Sequence, residues 1–337
     1  MKKFIVFFIG CLALLAVSTV YGGGNTDSKA PAAGTSSTAW TPDRDFTIRV
    51  PYPAGNIMDV SSRIVGQGLE KEYGKNVIIK NIPGANGALA GNDLLSVAAS
   101  PEEMMAGGIA MFVLAPLFNT GVSLNLDDYK MVCGLISEDW FLCVNTTKTG
   151  IKNWNDFVNY TKNNRTLYAS TPSGTANHML FAALFGEAGI KGEHLATDTA
   201  ARHAEAVLVG DAVCTVLTTA AAATYVDAPG DVITPIAVFS DGPPVQLGSY
   251  QVPSVKSLGF DIAFRTFNFI FTRASVDQAA VDSISKTIIA YYDTPEFKAQ
   301  AEKVNFVPDR SDSATAQKIL EDSRDMCKRF YDKYYAR

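Results

Sequence analysis

Two short loops carry residue types suited to holding an anion. Residues 53–56 read Pro-Ala-Gly-Asn with Asp59 close behind, and residues 170–175 read Ser-Thr-Pro-Ser-Gly-Thr with Asn177 and His178 following. Each lies between a strand-like segment and the start of a helix-like one, the position that faces the ligand crevice in open α/β sheets. Free backbone N–H groups and the positive end of the helix dipole favour a carboxylate there. Facing each other across a cleft, two such loops would hold an anion from both sides. The candidate ligand contacts are therefore Pro53, Ala54, Gly55, Asn56 and Asp59 on one side, and Ser170, Thr171, Ser173, Gly174, Thr175 and His178 on the other. Read alone, each loop is also an ordinary strand-to-helix turn. Asp59 could equally fix its own loop, Asn56 could simply accept a left-handed turn, and His178 at a helix start is expected to be neutral and hydrogen-bonded. A competing reading makes Ser170 or Ser173 a nucleophile with His178 as its base. The chain has no G-x-S-x-G elbow and no identifiable acid partner for it.

The elements that must position these loops follow from periodicity. Phe46, Ile48 and Val50 alternate as in a strand, and Val60, Ile64, Leu69 and Tyr73 predict a helix ending at Gly74. A strand over 77–80 precedes a glycine-rich loop, NIPGANGALAG (81–91), and a helix through Leu94, Leu95 and Ala98. An apolar strand is expected over 131–144, a helix at Trp154–Phe157–Val158 capped by Asn153, and a strand over 167–170. The second loop then opens a helix carrying Phe181, Leu184 and Phe185 and stopped by Gly189. Strands over 212–218, 233–240 and 267–272 follow, with a turn-rich run at 241–251. Val281, Ile284, Ile288 and Tyr291 form a helical stripe, Thr294-Pro295 opens another helix, and Ile319, Met326 and Phe330 mark the last. This alternation predicts an α/β fold. At 337 residues it suggests two lobes, with chain crossovers near 137–144 and 237–269.

Composition narrows the function classes. With 47% hydrophobic and 19% charged residues the chain can bury a large core. Its net charge of −5 and lack of a basic cluster argue against nucleic-acid binding. Met1–Lys3 is cationic, residues 4–17 are almost wholly apolar, and a small, polar run follows, so residues 1–22 are read as an export signal and 23–42 as a flexible tether. Cleavage after Ser18 or Gly22 and a lipid anchor at Cys11 are left open. The expected location is periplasmic or extracytoplasmic. Cys133, Cys143, Cys214 and Cys327 show no CxxC or metal-type spacing and read as isolated buried thiols, with a Cys133–Cys143 bridge in an oxidising compartment as the alternative. The three histidines, His178, His194 and His203, lack a metal-site pattern, and no cofactor is implied.

The order of these segments resembles the substrate-binding proteins of tripartite tricarboxylate transporters, the TctC or Bug family. VPYPAGNIMD (50–59) is similar to the family's V-P-F-P-P-G-G-x-x-D, NIPGANGALAG to N-R-P-G-A-G-G-x-x-G, and YASTPSGTANH (168–178) to Y-x-S-x-G-x-G-S-x-x-H. Looser matches fall at 194–213 and at VPSVKSLG (252–259). The resemblance implies a type II periplasmic binding protein: two α/β lobes with a ligand cleft between them, lobe 1 from 43–140 plus 263–337 and lobe 2 from 141–262. It implies a monomeric, non-enzymatic receptor that captures a small carboxylate and delivers it to a membrane permease. The candidate contacts named above are the family's two clamping loops carried onto this chain. The chain departs from the pattern at Asn56, Asn86, Asp198, Val213 and Ser257. A different cargo, such as an amino acid or another anion, is the alternative, followed by a receptor feeding a sensor and by an exported serine hydrolase.

Overall fold

The structure is a computed structural model that describes residues 40–118, 124–228 and 233–335. The expected signal, Cys11 and all but the last three tether residues lie outside them.

In chain order, β1 (Phe46–Val50), α1 (Ile57–Tyr73), β2 (Val77–Asn81), α2 (Ala88–Ser96) and β3 (Glu103–Gly108) open the fold. A π-helical turn (Ala110–Leu114) runs into α3 (Ala115–Phe118). The 17-residue β4 (Tyr129–Asn145) leads to α4 (Thr146–Thr149), α5 (Trp154–Asn163), β5 (Thr166–Ser170), α6 (Ala176–Ala188), β6 (Gly192–Ala196), α7 (Ala200–Val209), β7 (Cys214–Thr218), α8 (Thr219–Ala223) and β8 (Ile233–Val238). A hairpin, β9 (Val245–Leu247) and β10 (Tyr250–Val252), precedes β11 (Arg265–Arg273), α9 (Gln278–Tyr291), α10 (Pro295–Lys303) and α11 (Ser313–Tyr334).

The helix ends obey local chemistry. The Asn56 side chain caps α1, and Gly74 ends it at φ 63°. Asn153 caps α5, and Thr294 caps α10 with Pro295 in its first turn. The helix after β2 begins at Ala88, inside the stretch expected to be loop, because a run of left-handed residues turns the chain before it.

The strands form one long sheet in the order β2-β1-β3-β11-β4-β7-β5-β6, with β8 also on β4. β1 pairs in parallel with β2 and β3, and β5 with β6 and β7, as in strand–helix–strand units. β4 joins the two α/β lobes. Residues 129–139 pair antiparallel with β11, and Trp140–Asn145 pair antiparallel with β7 and β8. Phe46, Ile48 and Val50 are fully buried with Leu135, Ile270 and Tyr292. Phe141, Cys143, Ala204 and Val207 form a core around the far strands. The 22-residue α11 packs on the long central strand β4 and on α6. No described helix is long and apolar enough to cross a membrane.

Candidate functional site

A cavity of about 760 Å³ collects loops from both ends of the sheet. Its walls include the approaches to α1 (Pro51, Tyr52, Pro53, Asn56), α2 (Gly84–Gly87), α6 (Thr171, Gly174, Thr175) and α7 (Asp198, Thr199). Four helix N-termini therefore face one space, and each brings unpaired backbone donors and a positive dipole end. The crossing strands make the floor, with Glu138 and Trp140 from β4, Val216 and Thr218 from β7, and Thr266 and Asn268 from β11. Among the described residues, no lysine or arginine lines the cavity.

The first loop is held from behind by a charge. Asp59 is 2% exposed and sits in the first turn of α1. It accepts the Gly55 N–H at 2.9 Å and the Asn81 amide at 3.0 Å, and pairs with Arg63 at 2.9 Å. Burial opposes ionisation, but Arg63, Gly55 and Asn81 outweigh it and hold the carboxyl below the usual range. Gly55 is at φ 85°, which only glycine adopts without strain. Asn56 spends its side-chain oxygen on the Met58 N–H at 2.9 Å.

The second loop is held by a neutral relay. Thr171 and Thr175 hydroxyls lie 2.5 Å apart, and both reach the Asn177 carbonyl oxygen. The Asn177 amide meets His203 Nε2 at 3.0 Å, and His203 Nδ1 meets the Thr197 hydroxyl at 2.5 Å. An amide donor onto Nε2 makes that nitrogen an acceptor and leaves the ring proton on Nδ1. Burial pushes His203 down to about 4, partly offset by Asp198. His178 Nδ1 contacts the Tyr335 hydroxyl at 2.6 Å, and burial with the neighbouring His194 pushes it to about 4. Thr175 occupies the N-cap of α6 but turns its hydroxyl into this network and caps no helical N–H, while the His178 N–H donates to Asn177 Oδ1 at 2.9 Å.

Of the eleven candidates, Pro53, Asn56, Thr171, Gly174 and Thr175 line the cavity, while Ala54, Gly55, Asp59, Ser170, Ser173 and His178 stand outside its wall. Ser170 is fully buried, its hydroxyl 2.9 Å from His194 Nε2 rather than beside His178. Ser173 is exposed. Neither hydroxyl is both open to a substrate and paired with a base. Among the described residues, no group of three or more His, Cys, Asp or Glu could hold a metal ion. Cys133, Cys143, Cys214 and Cys327 are free and buried.

A profile described as "Tripartite tricarboxylate transporter family receptor" matches residues 61–334. The chain belongs to the tripartite tricarboxylate transporter receptor family. A Cupriavidus necator relative, "UPF0065 protein in gbd 5'region", is 24% identical over 270 residues, 79% of this chain and 80% of its own length. The fold of this chain is similar to that of a TctC solute-binding protein from Polaromonas, at TM-score 0.75 and 19% identity over 87% of this chain and 99% of that one. It is also similar to Rpa4515 of R. palustris, solved with adipate, at TM-score 0.73 and 16% identity over 86% and 97% of the two chains.

This tripartite tricarboxylate transporter receptor has cavity walls that the two loops alone do not predict. Gly84, Ala85, Asn86 and Gly87 all carry positive φ (129°, 47°, 51° and 92°) and line the cavity. The non-glycine members cost roughly 1 kcal/mol each in that conformation. Asn86, which breaks the glycine pair of the motif, suits it because asparagine tolerates the left-handed region. The π-helical turn after β3 presents Ala110 and Leu114, and such turns recur at functional sites. The glycine-rich 81–91 stretch, again between strand and helix, carried a signal for the third loop. A carboxylate pair inside the apolar run of β4 carried one for Glu138.

Proposed function

We propose that this receptor captures a small carboxylate in the cavity and delivers it to a membrane permease. The observation that carries this is the convergence of four helix N-termini, two from each end of the sheet, on one cavity. Backbone donors and dipoles hold the anion without a basic side chain. In this reading Pro53, Asn56, Thr171, Gly174 and Thr175 meet the ligand directly. Gly55 and Asp59 shape the first loop, and Ser170 and His178 support the second. Ala54 and Ser173 sit at the rim and close over the ligand. Lobe 1 comprises 43–140 and 263–337, lobe 2 comprises 141–262, and ligand bridging them favours the closed form. Residues 1–22 export the chain, which acts outside the cytoplasm as a monomer. The adipate bound by a protein of this fold supports the ligand class.

A thermal-shift screen against mono-, di- and tricarboxylates, amino acids and aromatic acids tests it. A ligand at about 100 times its Kd stabilises the native state by roughly 2.7 kcal/mol. At least one carboxylate is expected to raise the melting temperature, with the rise lost in Gly174→Val. Silence toward every carboxylate, with binding of uncharged solutes instead, would overturn the reading.

A further inference from the structure

The last helix of the chain ends on the second ligand loop. α11 starts beside β4, where the Ser313 hydroxyl donates to the Met131 carbonyl at 2.7 Å, and its far end lies on α6. Two consecutive tyrosines there divide along α6. Tyr334, with Lys333, reaches Glu187 in the last turn of α6, and a Cβ added at Gly186 would lie 2.8 Å from the Tyr334 ring. Tyr335 reaches the first turn instead, its hydroxyl 2.6 Å from His178 Nδ1. The His178 backbone N–H donates to Asn177 Oδ1, the atom on which the Thr171 and Thr175 hydroxyls converge. A second route runs through Phe118 at the end of α3. Its ring meets Tyr335 and Tyr331 edge-on, with centroids 4.9 and 5.1 Å apart. Phe118 also abuts Gly174, where an added Cβ would lie 3.0 Å from Phe118 Cβ. Thr171, Gly174 and Thr175 line the cavity, so both routes from Tyr335 end on its wall.

Resting on the carboxylate reading above, we propose that Tyr335 is a positioning residue, which holds His178 and Phe118 against the second loop so that the C-terminal turn of α11 sets how firmly that loop presents itself to a ligand. Tyr335 stands outside the cavity wall and acts only through these neighbours. The first loop is fastened by its own Asp59, four residues from Gly55. The second is less supported at its tip: Pro172 and Ser173 are exposed, Gly174 is left-handed at φ 95°, and Thr175 caps no helical N–H. A segment with few buried contacts opens locally at a small free-energy cost. An anion held by backbone donors loses affinity with each such opening, because the donors are no longer preorganised. Burial raises the Tyr335 phenol and lowers the His178 imidazole, so both are neutral at pH 7. Nδ1 can then accept the phenolic O–H. The Tyr335 ring supplies packing on Phe118 and the hydroxyl supplies direction toward His178, and mutation separates the two.

Amide hydrogen exchange of the full-length protein, read over residues 171–181, tests this without a ligand. Calorimetric titration with adipate tests its consequence. Tyr335→Ala should speed exchange over 171–181 at least about fivefold, and Tyr335→Phe, which keeps the ring and loses the hydroxyl, should do so by less. The adipate Kd should rise about tenfold in Tyr335→Ala and about threefold in Tyr335→Phe, the scale of one polar contact and its packing. Glu187→Gln weakens the other foot of α11 and serves as the comparison. It should leave exchange over 171–181 and the adipate Kd within about twofold of wild type, as for an exposed ion pair. Unchanged exchange in Tyr335→Ala would overturn the assignment, as would equal loosening by Glu187→Gln. A lower melting temperature with an unchanged adipate Kd would also overturn it, since a merely structural contact gives that result. Should the wild type ignore adipate, the exchange comparison still decides for or against Tyr335, and that failure counts against the carboxylate reading alone.

Discussion

The two loops that face each other across the cleft are fastened by different chemistry. The first is tied to a buried ion: Asp59 takes the Gly55 N–H and Asn81 amide and pairs with Arg63. The second is tied to uncharged groups, with Thr171 and Thr175 reaching Asn177, then His203, then Thr197. An ion held this way stays charged until strongly acid solution, whereas a buried neutral imidazole resists protonation only at a cost that grows through mild acid. Two loops that open helices onto one cavity are therefore held by one pH-tolerant wall and one pH-sensitive wall.

The largest expected effect breaks the first wall. Asp59→Ala leaves the Gly55 N–H, Asn81 and the Arg63 guanidinium without their shared acceptor. It should lower unfolding free energy by about 2 kcal/mol in denaturant titration, from the lost hydrogen bonds to the buried carboxylate, the half-exposed Arg63 being left to water. Carboxylate affinity should fall with it.

The second prediction sharpens the contrast through pH. The His203 pKa is about 4 in the native state, against roughly 6.5 in the unfolded chain. Between those values the unfolded state binds more protons, so stability is full above about pH 6.5 and is lost as pH falls toward 4. Melting temperature should drop between pH 7 and 5, with His203 accounting for about 1–2 kcal/mol. His178, also pushed to about 4, adds in the same direction. His203→Ala should cost about 2 kcal/mol at pH 7 for the lost contacts and flatten part of that slope. Asp59→Ala should leave the slope over pH 5–7 intact.

Two glycines give smaller effects. Gly174 is at φ 95°, and an added Cβ would lie 3.0 Å from Phe118 Cβ. Gly174→Ala should therefore cost about 1–2 kcal/mol in thermal unfolding, from backbone strain plus that contact. Gly55, at φ 85°, has open space around it. Gly55→Ala should cost only the strain, about 1 kcal/mol. Equal losses at the two positions would show that the Phe118 contact does not matter.

Much of the frame was legible because periodicity and caps agreed. Phe46–Ile48–Val50, the Val281–Tyr291 stripe, Gly74, Gly189 and Thr294-Pro295 all stand where their chemistry put them. β3 was not legible: EMMAGG has neither β-branched residues nor alternation, and it is a strand because it is buried between β1 and β11. β6, GEHLA, is a mostly exposed edge strand with no apolar face. The hairpin β9–β10 was hidden in a turn-rich run, its reversal eased by Gly248 at φ 54°. At the site, the loops announced themselves by composition. The division of labour did not, because whether Asp59 or Thr175 meets a ligand or a neighbour depends on partners distant in sequence.

The four buried cysteines bear on how motion in this receptor could be watched. Burial drives the Cys133, Cys143 and Cys214 thiols far above their ordinary range and Cys327 to about 12, so at neutral pH they hold almost no reactive thiolate. Cys11 aside, a cysteine placed at exposed Ser173, on the rim of the second loop, would be the one sulfur that a maleimide dye reaches quickly. The four described cysteines need no mutation, and a single fluorophore there would report whether the surroundings of the second loop change when a carboxylate is added.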